Sequence, residues 1–593
     1  MNLRKNPVIN LFWYSWKYSQ TKRLYIIFIL FSVIANIIIL LEPIVIGRVF
    51  NSVQISSDDP NLLKDIIYNL LLLVLITIGF WIFHGTSRVM EFKNAFLVRK
   101  KYKQEMFDRI MDLPARWHKD HHSGDTIDKV NKSSENLYTF SRRIFIAVQN
   151  SVRLVGSIII LILFDWRIAL GAVLISLFAV WTSLKFDNYL RRGYQKVFEL
   201  ENYLASAVHD YISNIITIIT LRLKQRVSNE IEKRSSIPFN IFIKNRRVDE
   251  FRWFLISFYV SMTISLALIW NAYNSYTKQG VIVLGTLFIL YRYLSNMGNF
   301  FFTFALRYGE IVQEDTAVRA AEIIIEAHEK IMVKNKRYYL PQEWQSIQIR
   351  ELSFRYKYKK KENKKFIKNN LENIDISIGR GQRIALVGES GSGKSTVLSL
   401  IRGLHYTDEV KIYCDGRRLE KGMRHLYEHT ALIPQDPEVF NSTILDNITM
   451  GTKATPELVE EVMRIARFEN VVHKLKKGLK TNVLEKGVSL SGGEKQRLAL
   501  ARGLLMARGY EFLLLDEPTS SVDSENELKI YKNIFEYYPD KTILSAIHRL
   551  HLLRFFDYVY IFNKGKIIAE GTFNTLVNDE NFKDIWENYS RQK

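Results

Sequence analysis

The sequence predicts two fold classes in tandem: an all-α transmembrane domain of six spanning helices with long cytoplasmic helices, over residues 1–340, and an α/β domain over residues 341–593. Three observations predict it. Long uncharged apolar runs fill the first part and are missing from the second. Lysine and arginine gather in the segments that flank those runs. From Ser346 the pattern changes to alternating strands, and an apolar strand there feeds a glycine-rich loop and then a helix.

A helix rises 1.5 Å per residue, so about 20 apolar residues cross the hydrocarbon core. The runs place spans at about 24–48, 66–88, 144–164, 168–186, 253–277 and 280–304. Leu24 to Leu41 carries no charge, and Glu42-Pro43 ends or kinks it. Asp165-Trp166-Arg167 is all that joins the third and fourth runs, so they form a tight hairpin. Segments after runs two and four are long and charged, with Arg99-Lys100-Lys101, Arg191-Arg192 and Arg246-Arg247. Retention of positive charge inside puts them, and both chain ends, in the cytoplasm of a multi-pass protein of the cell membrane. The net charge of +22 is therefore assigned to membrane lipids rather than to nucleic acid.

No cleaved signal peptide is expected; the aromatic, basic stretch Asn6 to Lys22 reads as a helix lying on the cytoplasmic surface. The long segments read as helical from Phe92 to Leu113 and from Tyr189 to Ile231. Ser123-Gly124-Asp125 reads as a break followed by a helix cap. His121 and His122 lack a third ligand nearby and make a poor metal site. Cys414, the single cysteine, reads as a small core residue. His84, Arg153 and Arg292 fall inside spans, where ionisable groups face protein or water, and they are candidates for a substrate cavity.

In the second domain, strands SIQIRELSFRY and NIDISI flank a lysine run, Lys357 to Lys368, read as a solvated hairpin tip. The sharpest motif follows: RIALV, then Gly388-Glu389-Ser390-Gly391-Ser392-Gly393-Lys394-Ser395-Thr396, then a helix. Its glycines let backbone N–H groups surround phosphates, Lys394 supplies a point charge, and the Ser395 hydroxyl can ligate Mg²⁺. A buried strand, Phe512 to Leu515, then delivers Asp516 and Glu517, a metal-holding carboxylate beside one that can act on water. Together these make an α/β P-loop ATPase domain that takes ATP and Mg²⁺.

The motif GVSLSGGEKQR makes the resemblance specific. The chain resembles the ATP-binding cassette (ABC) transporters, of the exporter type that fuses one membrane half to one cassette, and the resemblance covers essentially the whole chain. It implies that Leu490, Ser491, Gly492, Gly493 and Glu494 form the signature loop, which meets the partner's ATP. It places Gln435 near Mg²⁺, Tyr356 on adenine, Glu517 on the attacking water and His548 at the γ-phosphate; Ser520, Ser521, Val522 and Asp523 become a dimer-contact loop. Thr481 to Gly487 resembles the stretch that exporters carry before the signature. Short turn helices at about 124–132 and 210–218 would carry cassette closure to the spans. Glu494 and Pro518 depart from the usual exporter residues, and His405 to Asp415 is shorter than the family pattern. The resemblance implies a translocase that expels an amphipathic substrate (drug, lipid or peptide) and works as a homodimer or beside a paralogous half-transporter. An exporter-fold importer or a regulated channel is the alternative.

Overall fold

The computed structural model describes residues 3–55, 60–121, 123–332, 338–356, 371–436, 438–483, 490–579 and 582. The lysine run from Lys357, residue His122 and most of the stretch after Val483 lie outside these residues. The chain divides into two compact units, residues 1–112 with 122–330, and residues 113–121 with 331–593.

The first unit is all helix. An apolar run without proline or glycine gives Lys22–Ile39; after the Leu40-Leu41 break comes Glu42–Ile55, with Pro43 in its first turn. Leu62–Met111 follows as one helix of 50 residues. Ile144–Ser213 is helical on both sides of Asp165, whose backbone is extended (φ −157°, ψ 110°). That residue is the hairpin: its carboxylate accepts from the Arg167 N–H at 2.9 Å and from the Trp270 indole at 3.2 Å. Phe239–Gln279 ends at Gly280, whose φ of +69° is the left-handed cap that glycine adopts cheaply. Leu284–Ala320 and Glu322–Met332 complete the unit.

Among the described residues, four helical stretches are long and apolar enough to cross a membrane, Lys22–Gln54, Leu62–Met111, Ser123–Ser183 and Lys224–Lys278. The third contains the Asp165 hairpin and so two of the expected spans. The expected span at 280–304 lies in Leu284–Ala320, which Arg292, Asn296 and Asn299 make too polar for that criterion. Large apolar side chains point outward, Leu163 being 79% exposed, while small and polar groups line the helix contacts. Gly47 and Gly285 meet so closely that a Cβ on Gly285 would lie 2.0 Å from the Gly47 carbonyl oxygen.

Two expectations are corrected here. The N-terminal helix, Pro7–Tyr18, does not merely lie on a surface: Leu11, Tyr14, Ser15 and Tyr18 are buried, and only a face with Ile9 and Trp16 is open. Asn10 Nδ2 donates to Asp315 at 2.6 Å, the Tyr14 hydroxyl to Glu322 at 2.9 Å and the Tyr18 hydroxyl to Glu105 at 3.0 Å. Residues 124–132 are not a short turn helix but the start of Ser123–Ser141; the short helix is Ala115–Asp120, because Pro114 restarts the chain after Met111. The other short helix is Ile215–Thr220. His121 stacks on Trp117 at 4.2 Å and bonds its carbonyl at 2.9 Å, and the described residues contain no metal-ligand cluster.

Glu314 gives the bundle a pH dependence. It is buried beside Arg143, at 3.5 Å, and burial pushes its carboxyl up to about 7. A carboxyl raised from its ordinary 4.5 favours the native state while protonated, so this contribution is complete below that value and is lost as pH rises towards 7. Glu314→Gln is expected to flatten the fall in melting temperature between pH 5 and pH 8, measured on detergent-solubilised protein.

The second unit holds two sheets. The strands are β1 Ser346–Phe354, β2 Leu371–Gly379, β3 Arg383–Gly388, β4 Lys411–Cys414, β5 Arg417–Leu419, β6 Thr430–Ile433, β7 Phe512–Asp516, β8 Thr542–Ile547, β9 Tyr558–Asn563 and β10 Lys566–Gly571. One sheet runs β2-β1-β4-β5 and is antiparallel; the other runs β10-β9-β3-β8-β7-β6. In the larger sheet β6, β7, β8, β3 and β9 are parallel. Both of its faces are covered, so β7 and β8 are buried at every position, as the uninterrupted runs FLLLD and TILSAI require. Cys414 is a buried residue of β4.

Candidate active site

Ligands of open parallel sheets sit beyond the carboxyl ends of the strands, and the chemistry-bearing residues converge there. β3 ends at Gly388, and the helix Lys394–Ile401 begins six residues on. Gly388 (φ +151°), Gly391 (+80°) and Gly393 (+115°) all occupy backbone conformations closed to ordinary side chains. A Cβ on Gly388 would also strike the Phe562 carbonyl oxygen at 2.3 Å. Lys394 is buried; its ammonium donates to the carbonyls of Gly388 (2.7 Å) and Glu389 (3.1 Å). Burial lowers its pKa, while Glu517 and Asp516 pull it back up. The Ser392 hydroxyl is buried without a partner, an unfilled donor inside the glycine loop. Glu389 and Ser390 are exposed beside it, and Thr396 follows Ser395 in the helix.

β7 carries Asp516 and Glu517 to the same edge. The Ser395 hydroxyl donates to Asp516 at 2.7 Å, and burial raises the Asp516 carboxyl. Glu517 is the focus of the site. It receives Gln435 Nε2 at 2.8 Å, lies 2.7 Å from His548 Nε2 and sits 3.8 Å from Lys394 Nζ. Its backbone is left-handed, φ +48°, a strained state for a residue with a side chain. His548 follows β8, and the next residue, Arg549, donates to Glu527 at 3.0 Å.

Tyr356 lies just past β1, wedged edge-on by Phe354 at 4.9 Å and His405 at 5.0 Å. Leu490 is buried, and Ser491 caps the helix Gly492–Ala507. Its hydroxyl accepts from Glu494 N at 3.3 Å, and its N–H donates to the Glu494 carboxylate at 2.8 Å. That reciprocal cap holds Glu494 below the usual carboxylate range and shows what a glutamate does at this position. Asp523 caps the helix Ser524–Tyr537 through Asn526 N at 2.9 Å, so its side chain is spent locally; Val522 is buried.

Sequence reasoning missed Gln496. This buried side chain donates to Ser520 Oγ at 2.7 Å and to the Gln435 carbonyl at 3.3 Å, and accepts from Ser521 N at 2.7 Å. It ties the signature helix, the Ser520-Ser521 loop and the Gln435 loop together. Its signal was a polar residue four positions after Gly492, on the inner face of the helix.

The structure thus gathers Lys394, Ser395, Gln435, Asp516, Glu517 and His548 at one edge. Leu490–Glu494 stand apart: among the described residues no hydrogen bond or ion pair joins them to residues 388–396. His84, Arg153 and Arg292 belong to the first unit. His84 packs against Phe80, Trp81 and Phe145, and Arg292 lies 3.7 Å from Glu42.

A glycine loop on a parallel sheet, a buried carboxylate pair and a preceding helical membrane domain define a membrane-embedded P-loop ATPase. The comparisons with known proteins make this specific. Residues 25–301 match the ABC transporter transmembrane region and residues 371–520 the ABC transporter cassette, and the chain belongs to the ABC transporter family. A Rickettsia typhi chain bearing the name export ATP-binding/permease protein is 26% identical over 557 residues, covering 91% of this chain and 93% of that one. An ATP-dependent lipid A-core flippase of Vibrio parahaemolyticus is 25% identical over 491 residues, 80% of each chain. A bacterial Atm1-family ABC exporter solved with ATP bound shares the fold, with a TM-score of 0.79 at 21% identity, over 96% of this chain and 99% of that one. The chain is an ATP-hydrolysing ABC exporter, multi-pass in the membrane.

Proposed function

We propose that two copies of this chain clasp two ATP molecules head to tail and that closure drives an amphipathic substrate out of the cytoplasm. One observation carries the reading: Ser491, Gly492 and the helix start behind them form an open anion-binding surface that bonds nothing in its own phosphate loop. A second cassette would bring its ATP there. Ile212, Ile216, Ile219 and Leu221, each more than 60% exposed around the short helix Ile215–Thr220, supply an apolar face for the same partner.

In this reading Lys394 and the loop N–H groups hold the β- and γ-phosphates, and Tyr356 stacks on adenine. The Ser395 hydroxyl and the Asp516 carboxylate, already within 2.7 Å, are the oxygen donors a hard cation needs, with Gln435 beside them. Mg²⁺ held there would neutralise charge shared by the β- and γ-oxygens. Glu517 takes a proton from the attacking water, His548 and Gln435 fix its carboxylate, and His548 meets the γ-phosphate. The Ser520–Asp523 loop, locked by Gln496, lies against the partner. Retained positive charge places both chain ends and the cassette inside.

The test is the purified chain in vesicles. Mg²⁺-dependent ATPase activity with a mass of two chains per particle in the ATP-bound state is the expected result. Full turnover by a strict monomer would sink the reading, and activity only after a second half-transporter is added would replace the homodimer with a mixed pair.

A further inference from the structure

Three ionisable groups meet inside the helical unit. Arg292 lies 3.7 Å from Glu42, and Arg153 stands within electrostatic reach of both. The three come from different helices, Glu42–Ile55, Ile144–Ser213 and Leu284–Ala320. Arg153 lies twelve residues before the Asp165 hairpin and Arg292 twelve after the Gly280 cap. At 1.5 Å per residue Arg153 sits about 18 Å from its turn, and Arg292, eight residues into the helix that starts at Leu284, about 12 Å along it, so both fall within a hydrocarbon core about 30 Å thick.

Two guanidinium groups against one carboxylate leave one positive charge. A guanidinium keeps its proton and cannot escape by neutralising itself. Arg153 Nε is buried without any hydrogen-bond partner, and so is Nδ1 of His84, which lies within electrostatic reach of Arg153. Tyr293, whose hydroxyl donates to the Leu40 carbonyl, lies within electrostatic reach of Glu42, and the Arg292 and Glu42 side chains stay 41% and 35% exposed. At membrane depth an uncompensated charge that is open on one side is costly unless something brings the missing anion.

We propose that Glu42, Arg153 and Arg292 form the seat for an amphiphile carrying one oxyanion, a phosphate or carboxylate, on an apolar tail. The inference rests on the transport reading above and narrows its substrate class. Glu42 sets the valence of the seat: it holds one arginine in place and leaves the charge of the other for the ligand.

The experiment uses the full-length protein in phosphatidylcholine vesicles. ATPase stimulation is titrated with phosphatidylglycerol in one arm and with inorganic phosphate in the other. Phosphatidylglycerol alone should stimulate. Arg153→Met and Arg292→Met should each raise the half-maximal amount about tenfold, the usual scale for one lost charge-assisted contact. Arg153→Lys should stay within about threefold of the parent, since charge is kept and only the fork is lost. Glu42→Gln should lower the half-maximal amount. Wild-type dose dependence in both methionine variants would overturn the seat while leaving ATP-driven transport standing. Equal stimulation by inorganic phosphate would overturn the amphiphile. A parent enzyme whose turnover ignores phosphatidylglycerol would likewise overturn the seat, whereas a parent with no ATPase activity at all would remove the transport reading itself.

Discussion

Glu517→Gln is expected to lower ATP turnover by about two to four orders of magnitude, the usual worth of a positioned general base. The substitution keeps the shape of the side chain and removes its capacity to take a proton. It also disturbs two contacts at once. Gln435 Nε2 donates to one carboxylate oxygen and His548 Nε2 lies against the other, at 2.8 and 2.7 Å. An amide offers an acceptor on one side and a donor on the other, so one partner must present an acceptor instead, His548 by changing tautomer or Gln435 by turning its amide over, or lose its bond. Nucleotide binding should survive, because Lys394 and the glycine loop are untouched, and ATP-bound dimers should accumulate. Steady-state ATPase activity together with trapped nucleotide measures both effects. Turnover undiminished in this variant would remove Glu517 from the chemistry.

Gly492→Asp is expected to cost at least about a hundredfold in turnover, comparable to the loss of one preorganised donor in an active site. The cassette itself should not notice. A Cβ on Gly492 meets Ser521 at 3.8 Å, ordinary contact, and an aspartate in the first turn suits a helix N-terminus. By contrast a Cβ on Gly493 would lie 2.8 Å from the Ser521 carbonyl oxygen, so that position would confuse folding with function. The new carboxylate would face the partner's phosphates and repel them. Mixing this variant with Lys394→Ala gives dimers in which one composite site has an intact loop on each side. Activity should reappear on mixing, measured against the sum of the two variants alone. Wild-type activity in Gly492→Asp by itself would refute the shared site.

The sequence was most legible where physics forces a short, contiguous pattern. The phosphate loop needs its glycines at fixed spacing, and β7 needs an apolar run before its carboxylates, so both can be read without a structure. The Asp165 hairpin was legible for the same reason: three residues leave no other path. What escaped reading depends on partners far away in the chain. The burial of Tyr14 and Tyr18 rests on Glu322 and Glu105, and nothing in the local pattern distinguishes them from interfacial aromatics. Arg292 was visible as a charge in a span, but Glu42 sits 250 positions earlier and its pairing was not. Gln496 was in plain view within GGEKQR, yet its three bonds reach loops that only the fold brings near. The short helices slipped by several residues, since Pro114 and the Asn214 break decide their ends more firmly than helical periodicity does.

The N-terminal helix has a consequence for how the protein is made. It precedes the spans in the chain, and while Glu105 and Ser141 can hold it early, two of its other partners, Asp315 and Glu322, are synthesised some three hundred residues later. Until then Asn10 and Tyr14 lack these partners, so the set of bonds that fixes this helix cannot be complete before residue 322 is made. Full locking of this helix therefore requires the whole membrane half to have been translated.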